Sequence, residues 1–300
     1  LAITDHGVMY GVIDFYRAAK AEGIKPIIGC EVYVAPRTIA DRVHGVDNDA
    51  RHLVLLCENE TGYRNLSYLV SMGFLQGFYG KPRVDLALLR QHSEGLIALS
   101  ACLAGEIPRR LRAGDYDGAK AYALELSGIF GPEHFYLELQ DHGIPEQREV
   151  NRGLLRIAQE TGLPLVATND AHYLTREDSE LQDVLLCLQP GKTLDDPNRM
   201  RFETQEFYLK SEDEMRALFP ALPEALENTQ RIADRCKVEF EFNHYHLPAF
   251  TPPDGSDSLT YFRRMCDEGF RERYPDAPAG YRERLEYEMS VVEKMGYVDY

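Results

Sequence analysis

The sequence predicts an α/β fold, with a barrel of parallel strands as the leading architecture. Over roughly the first 190 of its 300 residues, short apolar runs alternate with stretches of helical periodicity. That order is typical of repeated strand–helix units that build a parallel sheet. The apolar run at 163–167 then stops at a polar segment that contains Asp170 and His172. In a barrel of parallel strands, active-site residues follow the strands at this C-terminal rim.

Each predicted element has its own local signal. Apolar runs flanked by turn residues predict strands at 1–4, 24–34, 52–57, 95–99 and 135–139. Apolar side chains at helical spacing predict helices at 9–21, 61–75, 115–130 and 144–161. Pro145 and Glu146 suit the first turn of the last of these helices. The polar segment 38–50 predicts a surface loop.

After residues 177–187 the pattern changes. Helices are predicted at 211–219 and 223–236, and Ser211 with Glu214 forms a capping box at the start of the first. The Pro- and Gly-rich segment 250–258 predicts a linker, and two amphipathic helices follow at 259–274 and 281–295. We therefore predict two domains, a barrel with its C-terminal helices at 1–247 and a second domain that starts at 248 and runs to 300.

Composition limits the classes of function. A formal net charge of -16 argues against a surface that wraps nucleic acid by itself, and it fits a cation-binding pocket. No apolar run approaches the length of a membrane span. The six cysteines lack paired spacing, which indicates a reduced, cytoplasmic protein. The sequence starts without Met inside a strand-like run, so we expect it to be a fragment.

Metal-binding side chains recur within the predicted strands or just after them. They are His6, Glu31, His52, Cys102, Asp170 and His172. Carboxylates can bridge two ions, and imidazoles with a thiolate can complete the shell of zinc, manganese or iron. A carboxylate inside a strand, such as Glu31, needs a partner or a metal. Taken alone, Asp170 also suits a helix cap and Cys102 a small buried apolar residue. The pattern predicts a joint metal site, and the structural alternative stays open.

Seven segments occur in a fixed order along the chain. They read TDHG at 4–7, GIKPIIGCEVYV at 23–34, HLVLL at 52–56, GYRNL at 62–66, SACLAGEI at 100–107, LELQDHGIPEQ at 137–147 and ATNDAHYL at 167–174. Together they resemble the N-terminal polymerase-and-histidinol-phosphatase (PHP) domain of bacterial DNA polymerase III alpha subunits, the C-family replicative polymerases. The segment 282–300 is similar to the start of the palm in that family. The resemblance implies a distorted TIM-like (β/α)7 PHP barrel followed by the helical start of a palm domain.

The resemblance also implies a ligand set and partners. The family's metal ligands correspond to His6, Glu31, His52, Cys102, Asp170 and His172, which would hold up to three divalent transition metals, zinc or manganese. Asp170 and His172 would also be the catalytic residues of the PHP site, and Asp5 would orient a ligand. The family's first metal motif, a His-x-His, would lie before Leu1. The whole protein would bind a DNA primer-template, dNTPs, the sliding clamp and other replicase subunits, with Mg for polymerisation outside this fragment and no membrane association.

Three functions follow from the resemblance. The first is DNA-templated DNA synthesis by the whole protein, with the barrel as a metal phosphoesterase or 3′–5′ exonuclease. The second is a barrel that serves as a non-catalytic, metal-stabilised scaffold for a separate proofreading exonuclease. The third is a stand-alone PHP-family phosphatase, which the palm-like segment 282–300 argues against.

Two weaker candidate sites remain in the sequence. His142 could lie at a pocket rim or in a capping turn, and a structural role is favoured for His244 with His246.

Overall fold

The structure, a computed structural model, describes residues 1–188, 190–244 and 247–300. The chain divides into two compact units, Leu1–Glu239 and Phe240–Tyr300. The boundary that the sequence predicts between residues 247 and 248 lies near this division and stays a prediction. No helix in the described ranges has the length and apolar character that crossing a membrane requires.

The first unit is built around one curled sheet. Its strands are β1 (Ala2–Ile3), β2 (Ile27–Val34), β3 (Arg51–Cys57), β4 (Arg83–Val84), β5 (Leu96–Leu99), β6 (Phe135–Leu139) and β7 (Leu165–Ala167). They are ordered β1-β2-β3-β5-β6-β7, and β4 pairs with β2. The sheet curls into a half-barrel, which confirms the predicted α/β barrel class.

Helices surround the sheet, most of them at positions that the sequence predicts, with ends that differ by a few residues. They are α1 (Val12–Ala21), α2 (Glu60–Leu75), α3 (Leu86–Gln91), α4 (Glu106–Arg112), α5 (Tyr116–Phe130), α6 (Pro145–Thr161), α7 (Ser179–Leu188), α8 (Glu212–Leu218) and α9 (Pro223–Arg235). Helices α3 and α4 and strand β4 were not predicted, because such short elements contain too few apolar residues to show a periodic pattern. Side-chain caps fix several starts: Asn59, Asp85 and Asp115 each accept a backbone N–H of the first turn.

Strand β3 corrects the expectation of parallel strands throughout. It runs antiparallel to both of its neighbours, β2 and β5, whereas the other adjacent pairs are parallel. The chain between β2 and β3 contains no helix, the element that usually makes the crossover between parallel strands. The reversal brings the first residues of β3 to the edge where β2 and β5 end.

The interior of the half-barrel is filled by one apolar cluster. Its buried members are Ile27, Val54, Leu56, Ile97, Leu99, Ala101, Tyr136, Val166, Ile232 and Cys236. Helix α9 and the residue after it supply the last two. Just beyond α9, the Lys237 N–H donates to the Glu58 carbonyl, which follows the end of β3. Helix α9 therefore covers the end of the barrel away from the start of β3.

In its described residues, the second unit contains two helices, α10 (Ser258–Arg273) and α11 (Ala279–Lys294). The Asp257 side chain caps α10 by accepting the Thr260 N–H at 3.0 Å. An ion pair between Arg263 and Glu293, at 2.8 Å, joins the two helices. Both helices that the sequence predicts after the Pro- and Gly-rich segment are thus confirmed.

Candidate metal centre

His6 is placed by a backbone extension of β1. The chain continues beyond β1 along β2, so that Glu31 N–H donates to Asp5 O at 3.0 Å and Gly7 N–H donates to Glu31 O at 2.9 Å. Gly7 has a φ of +67°, and a Cβ there would lie 2.9 Å from both Pro82 and the Tyr33 ring. Only glycine fits this position, which sets His6 directly beside Glu31.

Glu31 and His52 reach the same face of the sheet through the register of β2 and β3. Tyr33 pairs with His52, and Glu31 pairs with Val54. Because side chains alternate along a strand and paired residues point to one face, Glu31, Tyr33 and His52 are neighbours. Glu31 Oε1 lies 2.8 Å from His6 Nδ1 and 2.5 Å from His52 Nδ1. The potential ligand atoms of His6, Glu31 and His52 all lie within 4.8 Å of one another.

The chemistry of this triad fits a divalent metal. Glu31 Oε1 is buried, and neither imidazole contact has hydrogen-bond geometry, so the oxygen has no hydrogen-bond partner among the described residues. A buried carboxylate oxygen that accepts no hydrogen bond is costly, and a cation would remove that cost. Two imidazole nitrogens and a carboxylate oxygen form a donor set that suits zinc or manganese. Burial opposes the ionisation of Glu31, but the imidazoles of His52 and His6 lower its pKa to about 2.

The three other predicted ligands border this triad. Cys102 Sγ lies 3.5 Å from His52 Nδ1, and the His172 ring lies 5.8 Å from the His6 ring between centroids. Burial raises the pKa of Asp170, and the nearby Glu31 carboxylate raises it further. Burial likewise raises the pKa of the Cys102 thiol, which would coordinate as a thiolate only beside a cation. In the described part of the chain, the tight group consists of His6, Glu31 and His52, so the other three stay predicted ligands.

Both turns that carry these outer residues contain strained backbone. Ala101, which precedes Cys102, has a φ of 62°, and Asp170 has a φ of 45°. Non-glycine residues rarely adopt such values, and they persist where surrounding contacts enforce them. Glu138 supplies such contacts, because it accepts the Ala101 N–H at 2.8 Å and the Thr168 hydroxyl at 2.5 Å. One buried carboxylate thus ties the Cys102 turn to the Asp170 turn.

Glu138 is a residue of the candidate site that the sequence pattern did not predict. Burial raises its pKa to about 7, with a further rise from Asp170 and an opposing effect from the Thr168 hydrogen bond. The signal was available, because Glu138 interrupts an otherwise apolar strand as Glu31 does.

His142 is buried, and it supports the Asp170 turn from the other side. Its Nε2 lies 2.6 Å from the Asn169 carbonyl and therefore donates, while Nδ1 accepts from Gln147 Nε2 at 2.7 Å. Burial lowers the pKa of His142, which agrees with this neutral form. His142 therefore has a structural role in the protein interior and does not line the rim of the pocket.

The weaker His-x-His pair consists of His244 and His246, and His246 lies outside the described residues.

Residues 1–142 match the PHP domain family. The chain is 45% identical over 302 residues to the DNA polymerase III subunit alpha of Treponema pallidum, and 44% identical over 303 residues to that of Borreliella burgdorferi; the match takes in 100% of this chain and 26% of each relative. The Thermus aquaticus protein of the same name is 45% identical over 95% of the chain, which covers 24% of that relative. The chain thus spans about a quarter of the length of these curated relatives. It carries a PHP domain and is homologous, along its whole length, to the N-terminal part of DNA polymerase III alpha subunits.

Proposed function

We propose that the chain is the N-terminal part of a bacterial replicative polymerase whose PHP barrel is a metal-dependent phosphoesterase that removes nucleotides from DNA 3′ ends. The whole protein would add dNTPs to a primer-template with Mg, using residues beyond this chain, and would work in the cytoplasm with a sliding clamp and other replicase subunits. Similarity to the polymerases also runs through the second unit, which favours this function over a stand-alone phosphatase.

The observation that carries the barrel's activity is the Glu31 carboxylate oxygen, buried between two imidazole nitrogens without a hydrogen bond. We propose that His6, Glu31 and His52 hold one divalent ion and that Cys102, Asp170 and His172 hold others. When bound, such ions activate water and neutralise negative charge on phosphate oxygens.

The remaining residues orient these side chains. His172 Nδ1 donates to the Asp170 carbonyl at 2.8 Å, which fixes the tautomer and leaves Nε2 free as a ligand or as a proton acceptor. Glu138 and His142 hold the turn that carries Asp170. The His6 side chain is half exposed, at 47%, so a DNA end would reach the site from its side.

The decisive experiment uses the full-length protein, including the residues before Leu1. It should degrade a mismatched DNA 3′ end when zinc or manganese is supplied, and a chelator should stop the reaction. Asp170→Ala should abolish degradation and leave polymerisation largely intact, because nucleotide addition would use residues elsewhere. Melting curves must accompany the assay, since metal binding is coupled to folding. Absence of nuclease activity on every 3′ end, with Asp170→Ala lowering only stability, would favour the scaffold function instead.

A further inference from the structure

We propose that Lys81 and Tyr33 form a phosphate-binding flank of the metal centre, which holds a phosphate group of the DNA end beside His6 and His52. This inference rests on the proposed function, because it names how the same site would recognise its substrate. The ligand chemistry is a phosphate oxygen anion, in a diester or as free phosphate. Three observations support it.

The first observation is the position of Lys81 in the fold. It lies two residues before Arg83, which pairs in parallel with Tyr33 at the start of β4. Tyr79 N–H donates to Lys81 O at 3.0 Å and closes a tight turn around Gly80. Pro82, the next residue, packs against Gly7, the neighbour of His6. Backbone pairing on one side and packing on the other thus fix the segment beside the metal centre.

The second observation is the aromatic wall between the ammonium and the imidazoles. Lys81 Nζ lies 5.3 Å from the centroid of the Tyr33 ring, within the range of a cation–π contact. The same ring lies 5.2 Å from His52 in an edge-on arrangement and 6.3 Å from His6 in a stacked one. Tyr33 is buried, so it holds the ammonium close to the site without neutralising its charge.

The third observation is that Lys81 has no acidic partner among the residues that the structure describes. Four of the eight lysines pair with a carboxylate, among them Lys20 with Glu239, Lys120 with Glu160 and Lys192 with Asp196, each at 2.8 Å. Lys25, Lys237 and Lys294, like Lys81, form no such ion pair among the described residues, so the placement of Lys81 beside the triad is what distinguishes it. In a chain with a net charge of -16, a lysine that meets an aromatic face and no carboxylate is available to an anion. It would also offset the general repulsion between an acidic protein and DNA.

Together, the contacts of the Tyr33 ring place the Lys81 ammonium and the two imidazoles of the triad around one side chain. A phosphate oxygen between Lys81 and the triad would meet positive charge from both sides, which is the arrangement that stabilises charge on a phosphate group.

Inorganic phosphate is the probe for the test, and the full-length protein loaded with Co²⁺ is the receptor. Phosphate is titrated while the visible spectrum of the bound Co²⁺ is followed, which needs no turnover. Lys81→Met, which keeps the aliphatic stem and removes the charge, should weaken phosphate binding roughly tenfold. Lys81→Arg should restore most of it, and Lys20→Met, at a lysine paired outside the site, should bind like the unmodified protein. In the exonuclease assay, Lys81→Met should raise KM more than it lowers kcat.

The outcomes separate this inference from the proposed function. If the unmodified protein binds phosphate but cleaves no DNA end, the exonuclease proposal fails, and the comparison of phosphate affinities still decides the role of Lys81. Equal phosphate affinity of Lys81→Met and the unmodified protein would overturn the inference. So would a loss of Co²⁺ content or of melting temperature in Lys81→Met, because Lys81 would then have a structural role, or a failure of the unmodified protein to bind phosphate.

Discussion

At the scale of single residues, the centre depends on a charge that the fold places where water cannot solvate it. Glu31 is buried, and its lowered pKa keeps it ionised near neutral pH because His52 and His6 lie beside it. Such a carboxylate stabilises the fold only with positive charge next to it. Glu31, an acidic residue inside an apolar strand, is the strongest signal of the site in the sequence, and the triad forms around it.

Replacing Glu31 by glutamine tests this directly. Glu31→Gln keeps the shape and removes the negative charge, so we expect metal affinity to fall by at least about tenfold. Metal content after dialysis against a weak chelator measures the effect. Glu58→Gln is the matched control, because Glu58 lies beyond the other end of β3 and pairs with Arg235 and His134. If both variants retain the same amount of metal, Glu31 is not a metal ligand.

Glu138 gives a prediction on pH. Its pKa is about 7 in the folded chain, above the usual 4.5, so folding favours its protonated form. The stability that it contributes is therefore complete below about pH 4.5 and is lost as the pH rises through about 7, roughly 3 kcal/mol in total. Glu138→Gln has no titratable group at this position, so its free energy of unfolding should not show this decrease. The metal-free unmodified protein should fall in stability relative to Glu138→Gln between pH 5 and pH 8 in urea unfolding, and parallel profiles would contradict the assignment.

At the scale of elements, the reversal of β3 explains why His52 belongs to the site. In parallel strands the site residues follow the strand, yet His52 is the second residue of β3. Because β3 runs the other way, its start lies at the edge where β2 ends, beside Glu31. The sequence predicts the strand but not its direction, since direction depends on a loop, residues 35–50, that has no periodic pattern.

Arg83 holds that loop. Its guanidinium is fully buried and donates to the carbonyls of Gly77, Asp47, Ile39 and Asp41 at 2.8 to 3.2 Å. Arg83→Met would leave these carbonyls without their donor, so we expect a loss of about 3 kcal/mol or more in the free energy of unfolding. Protease cleavage within residues 38–50 should accelerate as well.

The control for this prediction is Arg64→Met. Arg64 is exposed and pairs with Glu60 one turn away on α2, so its removal should cost about 0.5 kcal/mol or less. If Arg83→Met and Arg64→Met unfold at the same urea concentration, the buried guanidinium does not hold the loop.

At the scale of the whole molecule, the sequence predicts the α/β barrel class, most of the longer strands and helices, and the two helices of the second unit. The ligand positions in the triad also follow from the sequence, because His6, Glu31 and His52 stand in or beside apolar strands. The contacts that hold the turns of the site in place are harder to predict. Contacts such as Glu138 with Ala101 and Thr168 join residues far apart in the chain, and no local pattern encodes them.

Limited proteolysis tests the division of the chain. We expect the first cut within residues 250–258, a segment rich in proline, glycine and exposed polar residues, where loops are most accessible. Mass spectrometry of the earliest fragments identifies the site. Early cleavage inside the barrel, with residues 250–258 still intact, would count against two separable domains.

The triad has one more consequence, which concerns the folding of the chain. His6, Glu31 and His52 come from three consecutive segments, and β1, which precedes His6, has only two residues. An ion shared by the three would act as a crosslink that closes the loop from His6 to His52, comparable in chain entropy to a disulfide and stabilising by about 4 kcal/mol. Metal binding would then be coupled to the assembly of the first strands, so that loss of the ion would loosen β1 and β2 before the rest of the barrel.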